Sequence, residues 1–248
     1  MKGCSVFVIF FLLIFLSSCK KEPGQNQLES DLQDIQSFKV TPSDRFVVDI
    51  STIDAGIPFK GRRANTPHQG AHTHWDNTSN TWPQGGTVPT NYPAIYAVAD
   101  GYINRIDYSY PVGANHRYGI DLAFASSSNS VIVFCYSIEP MVPEPSVDFY
   151  KRFILVTLGQ QVKKGDIIAY MYLPPFAGIG CHIHFHLQQL NKNNFLAPAI
   201  FASGIVDSFS TRWGIFGDDG SIPIPSCMGY MLDADENPYG DGQVDILK

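Results

Sequence analysis

Residues 181–187 read Cys181-His182-Ile183-His184-Phe185-His186-Leu187, a strict alternation of imidazole and apolar side chains. A period of two is the period of a β-strand, so the stretch specifies a strand with three imidazoles on one face and Ile183, Phe185 and Leu187 on the other. Adjacent imidazoles on such a face have Cα atoms ~7 Å apart, near enough for one to bind a metal at about 2 Å while its neighbour reaches a water beside it. Cys181 falls on the apolar face and is not expected as a ligand.

Six of the seven histidines fall in two tight groups, His68, His72 and His74 in one and His182, His184 and His186 in the other. Imidazole is the commonest nitrogen ligand for zinc and the usual proton carrier near neutral pH. Two His-rich segments roughly 110 residues apart therefore suggest one site assembled from two places in the fold. In the first group, His72 and Asp76 stand four apart, which on a straight strand is ~13 Å at Cα and too far to chelate one ion. A bend is expected there. Gly70, Thr73, Asn77, Thr78, Ser79 and Asn80 are loop formers, and Pro67 and Pro83 bracket the segment. Two nitrogens, one carboxylate and an open fourth place would make a catalytic zinc site, the other reading being polar loop histidines beside a coincidental His strand.

The rest of the chain bounds the fold. With 44% hydrophobic residues and 16% charged, 248 residues can bury a core. Gly 21, Pro 17 and 13% aromatics favour short strands and tight turns. Candidate strands lie at 94–99, 102–108, 119–124, 131–137, 153–157, 166–172 and 182–187, with no internal repeat and no long helix between them. The fold class read from this is mainly β, an antiparallel sheet. A formal charge of -6 supplies no basic field, so nucleic acid is excluded as a partner class.

The N-terminus carries a targeting signal. Lys2 precedes an apolar run over 6–16, then Ser17-Ser18-Cys19 and Lys20-Lys21. Eleven residues make roughly 16 Å of helix, half of a ~30 Å hydrocarbon core, so the run is too short to span. Leu16-Ser17-Ser18-Cys19 resembles the lipobox of bacterial lipoproteins, which implies acylation of Cys19 and removal of residues 1–18; the alternative is an ordinary signal peptide with a chance cysteine. Residues 19–45 are polar and read as a flexible tether, 46–205 as the folded domain and 206–248 as a C-terminal extension. The resulting expectation is a monomer in the bacterial cell envelope, held to the membrane through Cys19, facing the periplasm or the cell surface.

Smaller features add little. Cys135, Cys181 and Cys227 permit at most one disulfide and read as buried thiols. The acidic stretch 233–241 departs from a calcium loop at Pro238 and Val244 and reads as a tail. Trp75, Trp82 and Tyr92 would line a glycan groove or pack as core equally well.

Four ordered motifs carry a resemblance. They are His72-x-x-x-Asp76; Pro93-Ala94-Ile95-Tyr96-Ala97-Val98-Ala99-Asp100-Gly101; Gly159-Gln160-Gln161-Val162-Lys163-Lys164-Gly165-Asp166-Ile167-Ile168; and Gly180-Cys181-His182-Ile183-His184-Phe185. In order and spacing they resemble the lysostaphin/LytM-type zinc metallopeptidases, over roughly residues 66–190. The resemblance implies an antiparallel β-sheet groove (a barrel-sandwich hybrid) and hydrolysis of peptide bonds in cell-wall peptidoglycan or its stem peptides. It further implies zinc ligands His72, Asp76 and His184, with His182 polarising or deprotonating the attacking water.

The sequence departs from that pattern in one place. Such enzymes usually carry another catalytic histidine in a Tyr-x-His-Leu-like strand; in Phe134-Cys135-Tyr136-Ser137-Ile138-Glu139-Pro140 its place falls to Ile138, which can neither stabilise an oxyanion nor move a proton. His186, on the expected metal face, or His74 would then take over the missing role, or both support the site as outer donors. Two readings follow: a zinc metalloendopeptidase, or a catalytically degenerate domain of the same fold that binds peptidoglycan or regulates a partner wall hydrolase.

Overall fold

In the computed structural model the described residues are 29–59, 70–75, 82, 86–175 and 180–212, apart from short gaps at 30, 42–43, 128–129, 144–145, 147, 176–179 and 191–193. The strands are β1 (Gln33–Asp34), β2 (Ala55–Ile57), β3 (Ala71–Trp75), β4 (Ala94–Tyr96), β5 (Gly101–Val112), β6 (Asn115–Ser127), β7 (Ser130–Val142), β8 (Gln161–Val162), β9 (Ile167–Tyr170), β10 (Cys181–Gln189) and β11 (Asn194–Leu196). A helix, α1 (Ser203–Ser210), follows them. The large sheet runs in the order β2-β3-β10-β7-β6-β5-β8, with β1 on β6 and β11 on β10, while β4 and β9 form a second small sheet. Pairing is antiparallel throughout except for β1 with β6. The expected mainly β antiparallel class is therefore the observed one, as an open sheet with β2 and β8 at its ends and no closure into a barrel.

Alternation along the central strands sorts the two faces. Ile132, Phe134, Tyr136 and Ile138 of β7, Ile183, Phe185 and Leu187 of β10, and Tyr118, Ile120 and Leu122 of β6 all lie in the main hydrophobic core. The intervening residues of β10 and β7 turn to the other face: His182 pairs with Glu139, His184 with Ser137 and His186 with Cys135. Two buried tyrosine hydroxyls fasten the small sheet to the core face. Tyr136 donates to the Tyr96 carbonyl and accepts from the Val98 N–H, both at 3.0 Å. Tyr118 donates to the Tyr170 carbonyl and accepts from the Tyr172 N–H. Burial raises the pKa of both phenols, so they stay protonated and able to donate.

Several expectations shift. The segment around His72 was expected as a bent loop, yet 71–75 is a strand held between β2 and β10. Ala71-His72-Thr73-His74-Trp75 alternates as β10 does, and pairing on both sides satisfies its backbone where loop formers alone suggested turns. Residues 153–157, expected as a strand, instead end a 3-10 helix (Phe149–Phe153) and make a single bridge, Ile154 with Ala169. Part of the stretch expected as a tether is packed: Ile35 and Phe38 are buried, and Phe38 meets Phe124 edge to face at 5.4 Å. The helix α1 crosses residue 205, and its Phe209 packs against Phe46 and Phe185. Residues 1–28 and 213–248 lie outside the described residues, and with them Cys19, Cys227 and the acidic stretch 233–241. Among the described residues no helix is long and apolar enough to cross a membrane.

Candidate functional site

The site is one face of four neighbouring strands. β3 and β10 pair so that His72 stands opposite His184 and His74 opposite His182. Five imidazoles thus meet on one surface. His72 Nε2 lies 3.0 Å from His184 Nδ1, and His184 Nε2 lies 3.1 Å from His186 Nδ1. The His72 ring stacks on His182 with centroids 4.9 Å apart, and His74 faces His182 at 4.8 Å. Four of the five rings are buried; His184 is half-buried and the most open. Burial, together with His184, Arg117 and Arg105, lowers the His186 pKa well below the ordinary imidazole value, so its ring is neutral at pH 7.

Local backbone geometry fixes the rings. Gly70 sits directly against His184, and Gly180 adopts φ +68, turning its carbonyl to accept a hydrogen bond from His182 Nδ1 at 2.8 Å. A carbonyl only accepts, so His182 Nδ1 carries the proton. His182 Nε2 faces Glu139 Oε2 at 3.4 Å. The other carboxylate oxygen, Oε1, accepts from Ser137 Oγ at 2.8 Å and Arg117 Nη1 at 3.2 Å. Arg117 in turn lies over the Tyr110 ring, 4.6 Å from its centroid. Burial pushes the Glu139 carboxyl up, but His182, Ser137 and Arg117 outweigh it and hold the pKa at about 2.

Of the sequence-derived site residues, the structure brings His72, His182, His184 and His186 together with His74. Asp76 and His68 lie outside the described residues. Ile138 stands apart from these residues. It pairs with Ile183, is fully buried, and points into the core on the face opposite the histidines. β7 therefore meets the histidines with Ser137 and Glu139, and a side chain at 138 is not on that face at all. Reading β7 by parity against its apolar row Phe134, Tyr136 and Ile138 would have found Glu139. Trp75 and Tyr92 are core residues and Trp82, partly buried, packs on the core. Cys181 is a buried thiol whose Sγ meets the Pro140 carbonyl on the core side; Cys135 is a second buried thiol.

The donor set suits zinc as far as it is described. Among the described residues no group of three or more His, Cys, Asp or Glu is arranged to hold a metal ion. Yet two imidazole nitrogens on a tetrahedral zinc with bonds of about 2.0 Å are roughly 3.3 Å apart, close to the spacing between His72 Nε2 and His184 Nδ1. Gly70 supplies a cradle: a Cβ there would lie 2.3 Å from His184 Nε2 and push the ring out of line.

No family model matches the chain, and no curated protein matches it. Solved structures do. The chain is similar to the catalytic domain of the prophage-encoded M23 protein EnpA from Enterococcus faecalis, solved as a point mutant, with 17% identity over 57% of this chain and 85% of that one and a TM-score of 0.33. A zinc containing peptidase from Vibrio cholerae matches with 19% identity over 62% of this chain and 36% of its own, TM-score 0.30. The antimicrobial peptidase lysostaphin from Staphylococcus simulans matches with 16% identity over 81% of this chain and 65% of its own, TM-score 0.36.

Proposed function

We propose that the histidine face is the site of a zinc metalloendopeptidase that hydrolyses peptide bonds of cell-wall peptidoglycan. The observation that carries this reading is the His72 Nε2 to His184 Nδ1 contact of 3.0 Å across the β3–β10 pair. Two imidazoles whose ring nitrogens converge from different strands are the chemistry a divalent ion needs. His72, His184 and Asp76 would hold the zinc. When bound, zinc supplies a Lewis acid that polarises a carbonyl and acidifies water. The protein's own part is orientation. With His184 Nε2–H as the donor to His186 Nδ1, 3.1 Å away, His184 Nδ1 would keep its lone pair toward His72. His182, stacked on His72 and pinned through Nδ1, is the group beside them that would handle a proton of the reacting water.

The sequence supports an envelope location: residues 1–18 as a lipoprotein signal and Cys19 as the acylated anchor, with peptidoglycan stem peptides as the substrate within reach. Metal analysis of the purified protein, combined with digestion of isolated wall sacculi by wild type and His182→Ala, tests the reading. Bound zinc with cleavage that is lost in the mutant supports it; a metal-free protein that leaves sacculi intact ends it. A second reading, a degenerate domain that grips peptidoglycan or a partner hydrolase without cutting, draws on β7 presenting Ser137 and Glu139 instead of an imidazole to this face. Zinc bound, sacculi retained and no product released would select it.

A further inference from the structure

We infer that Glu139 is a positioning residue for His182, the means by which β7 serves the histidine site. The carboxylate is fixed by groups other than the histidine. Ser137 Oγ and Arg117 Nη1 both donate to Oε1, which leaves Oε2 facing His182 Nε2 at 3.4 Å. That spacing is an ion-pair distance, and such contacts commonly tighten once substrate excludes water. On its other side the same ring is held by Gly180, so both nitrogens of His182 are addressed from the protein and its rotation is set. Tyr110 pairs with Arg117 and Glu139 with His182, and the Arg117 side chain spans the bulge between β6 and β7, which ties ring orientation to the middle of the sheet and not to a loop.

A buried carboxylate is expensive, and Glu139 is only 7% exposed. Were it simply half of a structural ion pair with Arg117, its second oxygen would have no reason to be directed at an imidazole beside two convergent ones. A histidine oriented by a carboxylate is a recurring arrangement in catalysis, and its value here lies in fixing a ring both of whose nitrogens face acceptors. The inference rests on the peptidase reading for its activity arm only; the orientation of the ring stands apart from it.

The experiment uses the full chain loaded with zinc, as wild type, Glu139→Gln and Glu139→Asp. Long-range proton–nitrogen spectra of the His182 ring, zinc affinity by chelator competition, and kcat and KM on sacculi are measured. In Glu139→Gln the ring resonances of His182 shift, kcat falls about 10- to 100-fold with little change in KM, and zinc affinity stays within about threefold. Glu139→Asp keeps the charge but withdraws it, so the ring signals move less and kcat recovers in part; it also serves if the Gln protein does not fold. Unmoved His182 signals in a folded variant overturn the inference, as do moved signals with unaltered turnover. A wild type that cleaves nothing defeats the peptidase reading, and the ring spectrum alone then decides whether Glu139 positions His182.

Discussion

Gly70 lies so close to His184 that a Cβ built on it would stand 2.3 Å from Nε2 and 2.6 Å from Cε1. An imidazole on a free stem would swing aside at little cost. This one sits between His72 and His186, 3.0 and 3.1 Å from them, so any swing breaks a contact. Gly70→Ala is expected to leave the melting temperature within a few degrees while lowering zinc affinity about 10- to 100-fold. Competition against a chromophoric chelator reads the affinity; an Ala protein that binds zinc as wild type does would show that the ring has room to move.

The legible part of the site was its strictest pattern. His182, His184 and His186 alternate with a fully apolar set, and period two on β10 fixes both the strand and its face without any knowledge of neighbours. β3 carries the same alternation, but only five residues long and flanked by loop-forming types, so its local signals pointed to a turn that pairing on two edges overrides. Ile138 and Glu139 show the reverse difficulty. A motif aligned by type placed the expected histidine at 138, whereas strand parity assigns that position to the core and its neighbour to the site. Nothing in the composition of residues 153–157 separates a strand from the end of a 3-10 helix, since the deciding contact is a single bridge to Ala169.

The side of β7 on which residue 138 lies has a direct consequence. Placing a histidine there as Ile138→His would not add an imidazole to the site; it would bury one beside Ile183 and Tyr118, where the apolar core offers no exchange for its lost hydration. The expected result is a loss of about 2–4 kcal/mol in chemical denaturation and no gain in hydrolysis. Increased cleavage by this variant would mean that position 138 does reach the histidines.

Tyr136 connects the two sheets through one oxygen. Its hydroxyl donates to the Tyr96 carbonyl and accepts from the Val98 N–H, and the ring is fully within the core. Tyr136→Phe keeps the packing and strands both backbone partners, which is expected to cost about 1–3 kcal/mol. For a domain of this size that is a fall in melting temperature of roughly 2–12 °C, with the histidine spectra unchanged.

Acid sensitivity follows from Glu139. Its pKa is about 2 in the fold against the ordinary 4.5, because His182, Ser137 and Arg117 overcome the penalty of burial. Between those values the unfolded chain binds a proton that the folded chain refuses, so stability rises with pH across the window. The contribution is complete above about pH 4.5 and lost as pH falls through about 2, on the order of 3 kcal/mol. Asp44 and Asp100, also lowered, act in the same direction, so the acid limb will not vanish in a variant. Urea unfolding of wild type and Glu139→Gln from pH 7 to pH 2 should show the stability gap between them closing on the acid side. A gap constant with pH would mean that the carboxylate is not held down.

The five imidazoles are not equivalent toward a metal, and substitution should sort them. His72 and His184 are the pair whose nitrogens converge, whereas His74 faces the ring of His182 at 4.8 Å and is 5.5 Å from His72 centroid to centroid. His72→Gln and His184→Gln each remove a converging nitrogen and are expected to lower zinc affinity at least 100-fold, beyond the ~10- to 100-fold typical of outer partners. His74→Gln removes a ring neighbour of His182 and no nitrogen of the converging pair, and zinc affinity should change by less than about tenfold. Chelator competition on the three proteins gives the ranking directly, and thermal melts with and without zinc give it a second way, because an ion bound only by the folded state raises stability in proportion to the logarithm of its affinity. Equal losses in all three would mean that the face binds the ion diffusely, and the convergence of His72 on His184 would then carry no special weight.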